Sequence, residues 1–161
     1  RTDIQYAKCC REIAVPQAHH LSGLKRLARY LSGCGRLITK YAWQGCEEQV
    51  MAYSDSDWAG CRATRRSTSG GVIMINGSLV SSWSRVQGTV ACSSAEAEYY
   101  SMCTGAAEAL YVHSLACSLG FDDLKGKPIV LMTDASAAKA MAEKDQLPVK
   151  VKHMEVRYLH L

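Results

Sequence analysis

Runs of apolar residues divide this chain into a front helix followed by a succession of strands and helices. Residues 17–32 place Leu21, Leu24, Ala28 and Leu31 on one helical stripe with Lys25, Arg26 and Arg29 off it, and Gly33 supplies a stop. The pattern predicts a basic amphipathic helix that docks its stripe on a neighbour. The adjacent His19 and His20 are expected to point apart on such a helix, which argues against a shared metal ion.

Farther along, Gln49–Asp55 reads as a strand, and Gly70–Asn76 and Leu79–Trp83 follow it with Asn76-Gly77 between them. Asn-Gly between two such runs is a strong hairpin signal, so three consecutive antiparallel strands are expected. Ser93-Ser94 then opens a long helix to about Leu119, with Ser94 as N-cap, Glu96 and Glu98 in the first turns, and Gly120 as terminator. Pro128 precedes the apolar run Ile129–Thr133, which has the look of a buried strand ending at Asp134. Ala135–Glu143 reads as a short helix, and the chain turns helical again from about Val151. Three strands, a helix, a strand and a helix make an α/β domain whose fourth strand returns parallel to one of the first three.

Composition narrows the class. The 161 residues hold no apolar run of eighteen, and the first twenty carry Arg1, Asp3, Lys8, Arg11 and Glu12, so neither a membrane span nor a secretory leader is expected. Eight cysteines occur without one C-x-x-C pair, which argues against a zinc knuckle and for reduced, mostly packed thiols. The net charge of +4 is unevenly spread: residues 1–45 hold eight Lys/Arg against two Asp/Glu, the remainder eleven against thirteen. A second basic excess, Arg62, Arg65, Arg66 and Arg85, lies in 58–95 with no acidic residue in that stretch. Such a distribution suits a protein that grips a polyanion and gathers its carboxylates elsewhere, and it equally suits a solvated charged face.

The carboxylates that matter end the strands. Asp55 closes one apolar strand, Asp134 another, and Glu98 lies in the first turns of the helix between them. Side chains from the ends of adjacent strands and from a helix packed on the sheet converge, and three like charges require a cation among them. An all-oxygen donor set favours Mg²⁺ or Mn²⁺ over zinc. Ala91-Cys92-Ser93-Ser94 would suit a helix-start thiol nucleophile, but no suitably placed His supports one. Ser67-Thr68-Ser69-Gly70-Gly71 lacks the Lys of a phosphate-binding loop and reads as a turn into the second strand.

Four motifs in order, Tyr53-Ser54-Asp55-Ser56-Asp57-Trp58-Ala59-Gly60, Arg65-Arg66-Ser67-Thr68-Ser69-Gly70, Ser93-Ser94-Ala95-Glu96-Ala97-Glu98-Tyr99 and Thr133-Asp134, closely resemble the ribonuclease H domain of copia-type long-terminal-repeat retrotransposon Pol polyproteins. Arg1–Ala7 and Leu27–Leu31 resemble the end of the reverse transcriptase, and Lys152–Tyr158 the helix after the fourth strand; nearly the whole chain is covered. The resemblance implies two parts, a reverse transcriptase tail over 1–45 and a ribonuclease H-like domain over 46–161. It also implies a mixed sheet with strands 1–3 antiparallel, strand 4 parallel to strand 1, and flanking helices.

By the same resemblance Asp55, Glu98 and Asp134 are catalytic metal ligands for Mg²⁺ or Mn²⁺, two ions in the complete domain. Asp57 is the rival to Asp55 on the same strand face, and is assigned to shaping the loop or contacting substrate. Glu96 is left as a first-turn stabiliser. Arg65 and Arg66 are assigned to the phosphate backbone, since a guanidinium fork matches phosphate oxygens, and Trp58 beside them to stacking or packing. The implied activity is metal-dependent cleavage of the RNA strand of RNA–DNA hybrids during reverse transcription. The implied partners are that hybrid and the rest of the reverse transcriptase polyprotein, with no membrane. The implied place is a cytoplasmic retrotransposon particle or the nucleus. The family's fifth strand and fourth acidic ligand would lie beyond Leu161, so a chain stopping there is expected to be impaired; Glu155 is not that ligand. The alternative is a non-catalytic nucleic-acid-binding or interaction module that keeps only the fold.

Overall fold

Asn76 and Gly77 both take the left-handed backbone region, φ 51° and 72°, which is the requirement of a two-residue type I′ hairpin turn. They join β2 (Thr68–Ile75) to β3 (Ser78–Val86), and β2 is itself antiparallel to β1 (Val50–Asp57). These elements belong to a computed structural model that describes Ile4 and residues 15–41 and 49–143. The chain divides into two units, Arg1–Tyr41 and Ala42–Leu161.

In the first unit a 3₁₀ turn, Ala18–His20, leads into α1 (Leu21–Gly33), which stops at Gly33 as its sequence requires. No residue of α1 is buried. His19 and His20 do not point apart. Because they sit in the tighter 3₁₀ turn, their rings meet edge to face at 4.0 Å, and His20 Nδ1 accepts the Gln17 N–H.

In the second unit the sheet order is β3-β2-β1-β4, with β4 (Val130–Met132) parallel to β1. Between β3 and β4 runs α2 (Ser94–Ser118), and α3 (Ser136–Ala142) follows β4. Together these make the ribonuclease H-like mixed sheet with flanking helices. The crossover from β3 back to β4 passes through a helix because parallel pairing cannot be closed by a tight turn.

One face of the sheet packs on α2. Val50 and Ala52 of β1, Ile73 of β2 and Trp83 of β3 meet Ala109, Val112 and Ala116 of the helix, with Leu124 beneath. His113 Nε2 lies 3.0 Å from the Leu124 carbonyl and ties the turn after α2 to the helix. A second cluster surrounds the helix's N-terminal half: Ala97, Tyr99, Tyr100 and Met102 pack with Ala91 and with Ala138 of α3. That half of α2 is therefore buried on most sides, whereas farther on only a narrow stripe of small residues is covered.

Local chemistry shifts some expected boundaries. The N-cap of α2 is Ser93, not Ser94, its hydroxyl accepting from the Glu96 N–H. Thr68, Ser69, Gly70 and Gly71 lie inside β2 rather than in a turn before it, and β3 continues past Trp83 to Val86 because Ser84 and Arg85 pair with Gly70 and Ser69. Among the described cysteines, Cys61, Cys103 and Cys117 are half-buried while Cys34 and Cys92 are exposed. Burial pushes the Cys103 thiol up to about 12, so it stays protonated. No helix of the described residues is long and apolar enough to cross a membrane. The expected helix from Val151, with Glu155, lies outside the described residues.

Candidate functional site

The pairing of β1 with β4 decides which carboxylates meet. Tyr53 is registered with Met132 in parallel, so two residues on, at the same end of the sheet, Asp55 and Asp134 stand abreast. The β1–α2 packing supplies the third. Gly105 lets the helix approach β1 closely, since a Cβ there would lie 3.2 Å from that of Ser54. One turn nearer the N-terminus, the fully buried Ser101 hydroxyl donates to the main-chain carbonyl of Asp55 at 2.7 Å. Glu98, three residues earlier, is thereby held beside the strand end, and its Oε1 accepts the Ser56 N–H at 3.3 Å.

One carboxylate oxygen from each of Asp55, Glu98 and Asp134 falls within 4.8 Å of the other two. Asp55 and Asp134 are exposed and Glu98 half-buried. Burial lifts the Glu98 carboxyl above its ordinary value, and the charges of Asp55 and Asp134 add to that against the hydrogen bond from Ser56. Its Oε2 is buried without a hydrogen-bond partner. An acceptor left in that state beside two further carboxylates fits a hard divalent cation, which would satisfy the oxygen and offset the repulsion. Among the described residues this is the one group of three or more metal-capable side chains found together.

The neighbouring acids do other things. Asp57 is exposed and outside the cluster; its Oδ1 accepts the N–H of Thr68, so it fastens the start of β2 across the loop. Glu96 is buried, and its carboxylate accepts from the Cys92 N–H at 2.8 Å and the Tyr100 hydroxyl at 2.7 Å, which stiffens the entry to α2.

Arg65 and Arg66 sit on the exposed loop between β1 and β2. The Arg65 N–H donates to the Cys61 carbonyl and the Cys61 N–H to the Arg66 carbonyl, a tight closure that puts Arg65 at φ 55°. Neither guanidinium makes an ion pair among the described residues, in contrast to Arg85, which meets Glu108 of α2 at 2.8 Å. Trp58 donates its indole N–H to the Ala91 carbonyl and is 55% exposed as a residue, whereas Trp83 is buried at 5%. Sequence reasoning missed Ser101 and Gly105, whose signal is the spacing of a small residue three and seven positions after Glu98 on one helical face.

No family model matches the chain, and no solved structure matches it significantly. Curated relatives do. The chain is 32% identical over 163 residues to the Retrovirus-related Pol polyprotein from transposon RE1 of Arabidopsis thaliana, a match covering 98% of this chain and 11% of the relative. It is 29% identical over 161 residues to the corresponding polyprotein from transposon TNT 1-94 of Nicotiana tabacum, covering 98% and 12%. A shorter match of 97 residues at 40% identity, covering 60% of this chain and 68% of the relative, is to Secreted RxLR effector protein 161 of Plasmopara viticola. The chain thus spans about a tenth of the length of the polyproteins it resembles. Over almost all of its length, its homologues are copia-type retrovirus-related Pol polyproteins.

Proposed function

We propose that this chain is the ribonuclease H segment of such a polyprotein, residues 46–161, preceded over 1–45 by the tail of the reverse transcriptase, and that it cleaves the RNA strand of RNA–DNA hybrids. The observation that carries the reading is the triad: three carboxylates from two strand ends and a helix, within 4.8 Å, with a buried unpartnered oxygen on Glu98. Asp55, Glu98 and Asp134 hold Mg²⁺ or Mn²⁺. Bound, the ions supply Lewis acidity and an activated water for phosphodiester hydrolysis. The chain's own groups do the rest. Arg65 and Arg66, free of carboxylates, take phosphate oxygens of the incoming backbone; Trp58 offers an exposed ring face to a sugar or base; Asp57 keeps their loop fixed to β2. The hybrid is told from DNA by its 2′-hydroxyls in the minor groove.

The test is cleavage of an end-labelled RNA–DNA hybrid beside an all-DNA duplex of the same sequence, in Mg²⁺ and after chelation. Cleavage of the hybrid alone, lost with EDTA and restored by Mn²⁺, is expected. Cleavage surviving EDTA, or equal cleavage of both duplexes, would rule the reading out, and hybrid binding without cleavage would favour a non-catalytic module. The loop makes a separate prediction. Arg65→Ala with Arg66→Ala should weaken hybrid binding and flatten its dependence on log salt by about two, one released counterion for each lost phosphate contact. An unchanged slope would remove both arginines from the interface.

A further inference from the structure

The height of Glu98 along its helix is set partly by a side chain that touches none of the three carboxylates. Gln87, just past the end of β3, is buried, and its Nε2 donates to the Ala97 carbonyl and to the Ser69 hydroxyl, both at 2.9 Å. Ala97 is the residue before Glu98. The Gln87 main-chain N–H donates to the Ser67 carbonyl at 2.8 Å, and the Ser67 hydroxyl accepts the Ala59 N–H at 3.0 Å. One residue thus links the first turn of α2, the start of β2 and the loop that carries Arg65 and Arg66. Ser67, Ser69 and Ala97 are all buried, so these bonds compete with little water.

A buried amide costs free energy unless its atoms are paired, and here Oε1 has no partner. What the amide adds is direction: two donors on one nitrogen fix the helix against β2 at a set height and rotation, which apolar packing does not specify.

We propose that Gln87 is a positioning residue for the metal centre, holding Glu98 in reach of Asp55 and Asp134. This inference rests on the proposed reading of the triad, so its test carries a control for that reading. Mn²⁺ alone is titrated into the full chain, free ion being read by electron paramagnetic resonance, at a temperature where circular dichroism finds every variant folded. Asp134→Asn should lose Mn²⁺ affinity; if it binds as the wild type does, the triad reading fails and this inference with it. Gln87→Met keeps the length of the side chain and the bond to Ser67 but removes both amide bonds, and should bind Mn²⁺ about tenfold more weakly. Val112→Ala, which loosens the core on the far part of α2, should lower the melting temperature without moving Mn²⁺ affinity. Wild-type affinity in Gln87→Met beside a loss in Asp134→Asn overturns the positioning role alone, as does an equal loss in Val112→Ala. If Gln87→Met does not fold, Ser69→Ala decides: by removing one acceptor of the amide it should weaken Mn²⁺ binding to a smaller degree, and unchanged binding overturns the proposal.

Discussion

Asp134→Asn is expected to cut hybrid cleavage about a thousandfold, the loss of several kcal/mol of transition-state stabilisation, while making the metal-free protein more stable. The two effects have one origin. Three carboxylates within 4.8 Å repel one another when no cation is present, and the strain is felt at Glu98, whose carboxyl is raised first by burial and then by its two charged neighbours. A raised carboxyl binds its proton more tightly in the folded chain than in the unfolded one. Its contribution to stability is therefore whole below the ordinary value of 4.5 and is lost as the pH climbs through the raised value. Asp134→Asn removes one charge from that set and lessens the loss. In EDTA its melting temperature should exceed that of the wild type near neutral pH by a small margin, because the site is partly open to water, which screens the repulsion. The two melting curves should converge as the pH falls below the ordinary value of 4.5, where the Glu98 carboxyl is protonated and no longer repelled by Asp134. Addition of Mg²⁺ should reverse the order, because stabilisation by a ligand grows with its affinity for the folded state. A variant less stable than the wild type in EDTA would mean that Asp134 makes a structural bond and is not one of three repelling ligands.

How much of this was readable in the sequence differs from element to element. The hairpin at Asn76-Gly77 was, because two consecutive left-handed residues leave few alternatives, and so was the span of α2, which has a serine cap at one end and a glycine just past the other. Boundaries in β2 and β3 were not. Ser69, Gly70, Ser84 and Arg85 have loop-like composition, and they are strand because they pair with one another across the sheet and because Arg85 finds Glu108 on α2. The triad was a set of candidate positions until β4 was registered against β1. No local pattern says that Tyr53 lies beside Met132, and that register alone brings Asp55 level with Asp134. The likeness to copia-type polyproteins selected Glu98 over Glu96; the packing gives the physical reason, since Glu96 is turned inward to Cys92 and Tyr100. Interactions such as Ser101 with Asp55 and Gln87 with Ala97 join residues distant in sequence through a main-chain carbonyl, which any residue type provides, so composition carries no trace of them.

Two adjacent glycines give the sharpest stability contrast in the fold. Gly70 and Gly71 face opposite sides of β2. At Gly70 an added Cβ would meet nothing nearer than the Trp83 carbonyl at 3.6 Å, ordinary contact, so Gly70→Ala should be tolerated. Gly71 stands between Ser54 of β1 and Trp83 of β3, and the Trp83 ring lies over it. A Cβ there would come within 2.3 Å of that ring and 2.4 Å of the Tyr53 carbonyl. Neither obstacle yields easily. The ring is buried at 5% in the core, and the carbonyl belongs to the β1 ladder two residues before Asp55. Relief therefore requires Trp83 to leave its place or β1 to move away from β2, and overpacking of this kind costs about 3 kcal/mol or more. For Gly71→Ala we expect the melting temperature to fall by at least about 12 °C and the near-ultraviolet signal of the buried tryptophan to change. Displacement of β1 would carry Asp55 with it, so Mn²⁺ affinity should fall in the variant even at temperatures where it stays folded. Equal melting of Gly70→Ala and Gly71→Ala would mean that the Trp83 ring does not lie over Gly71 and that the order of packing in this part of the sheet is different.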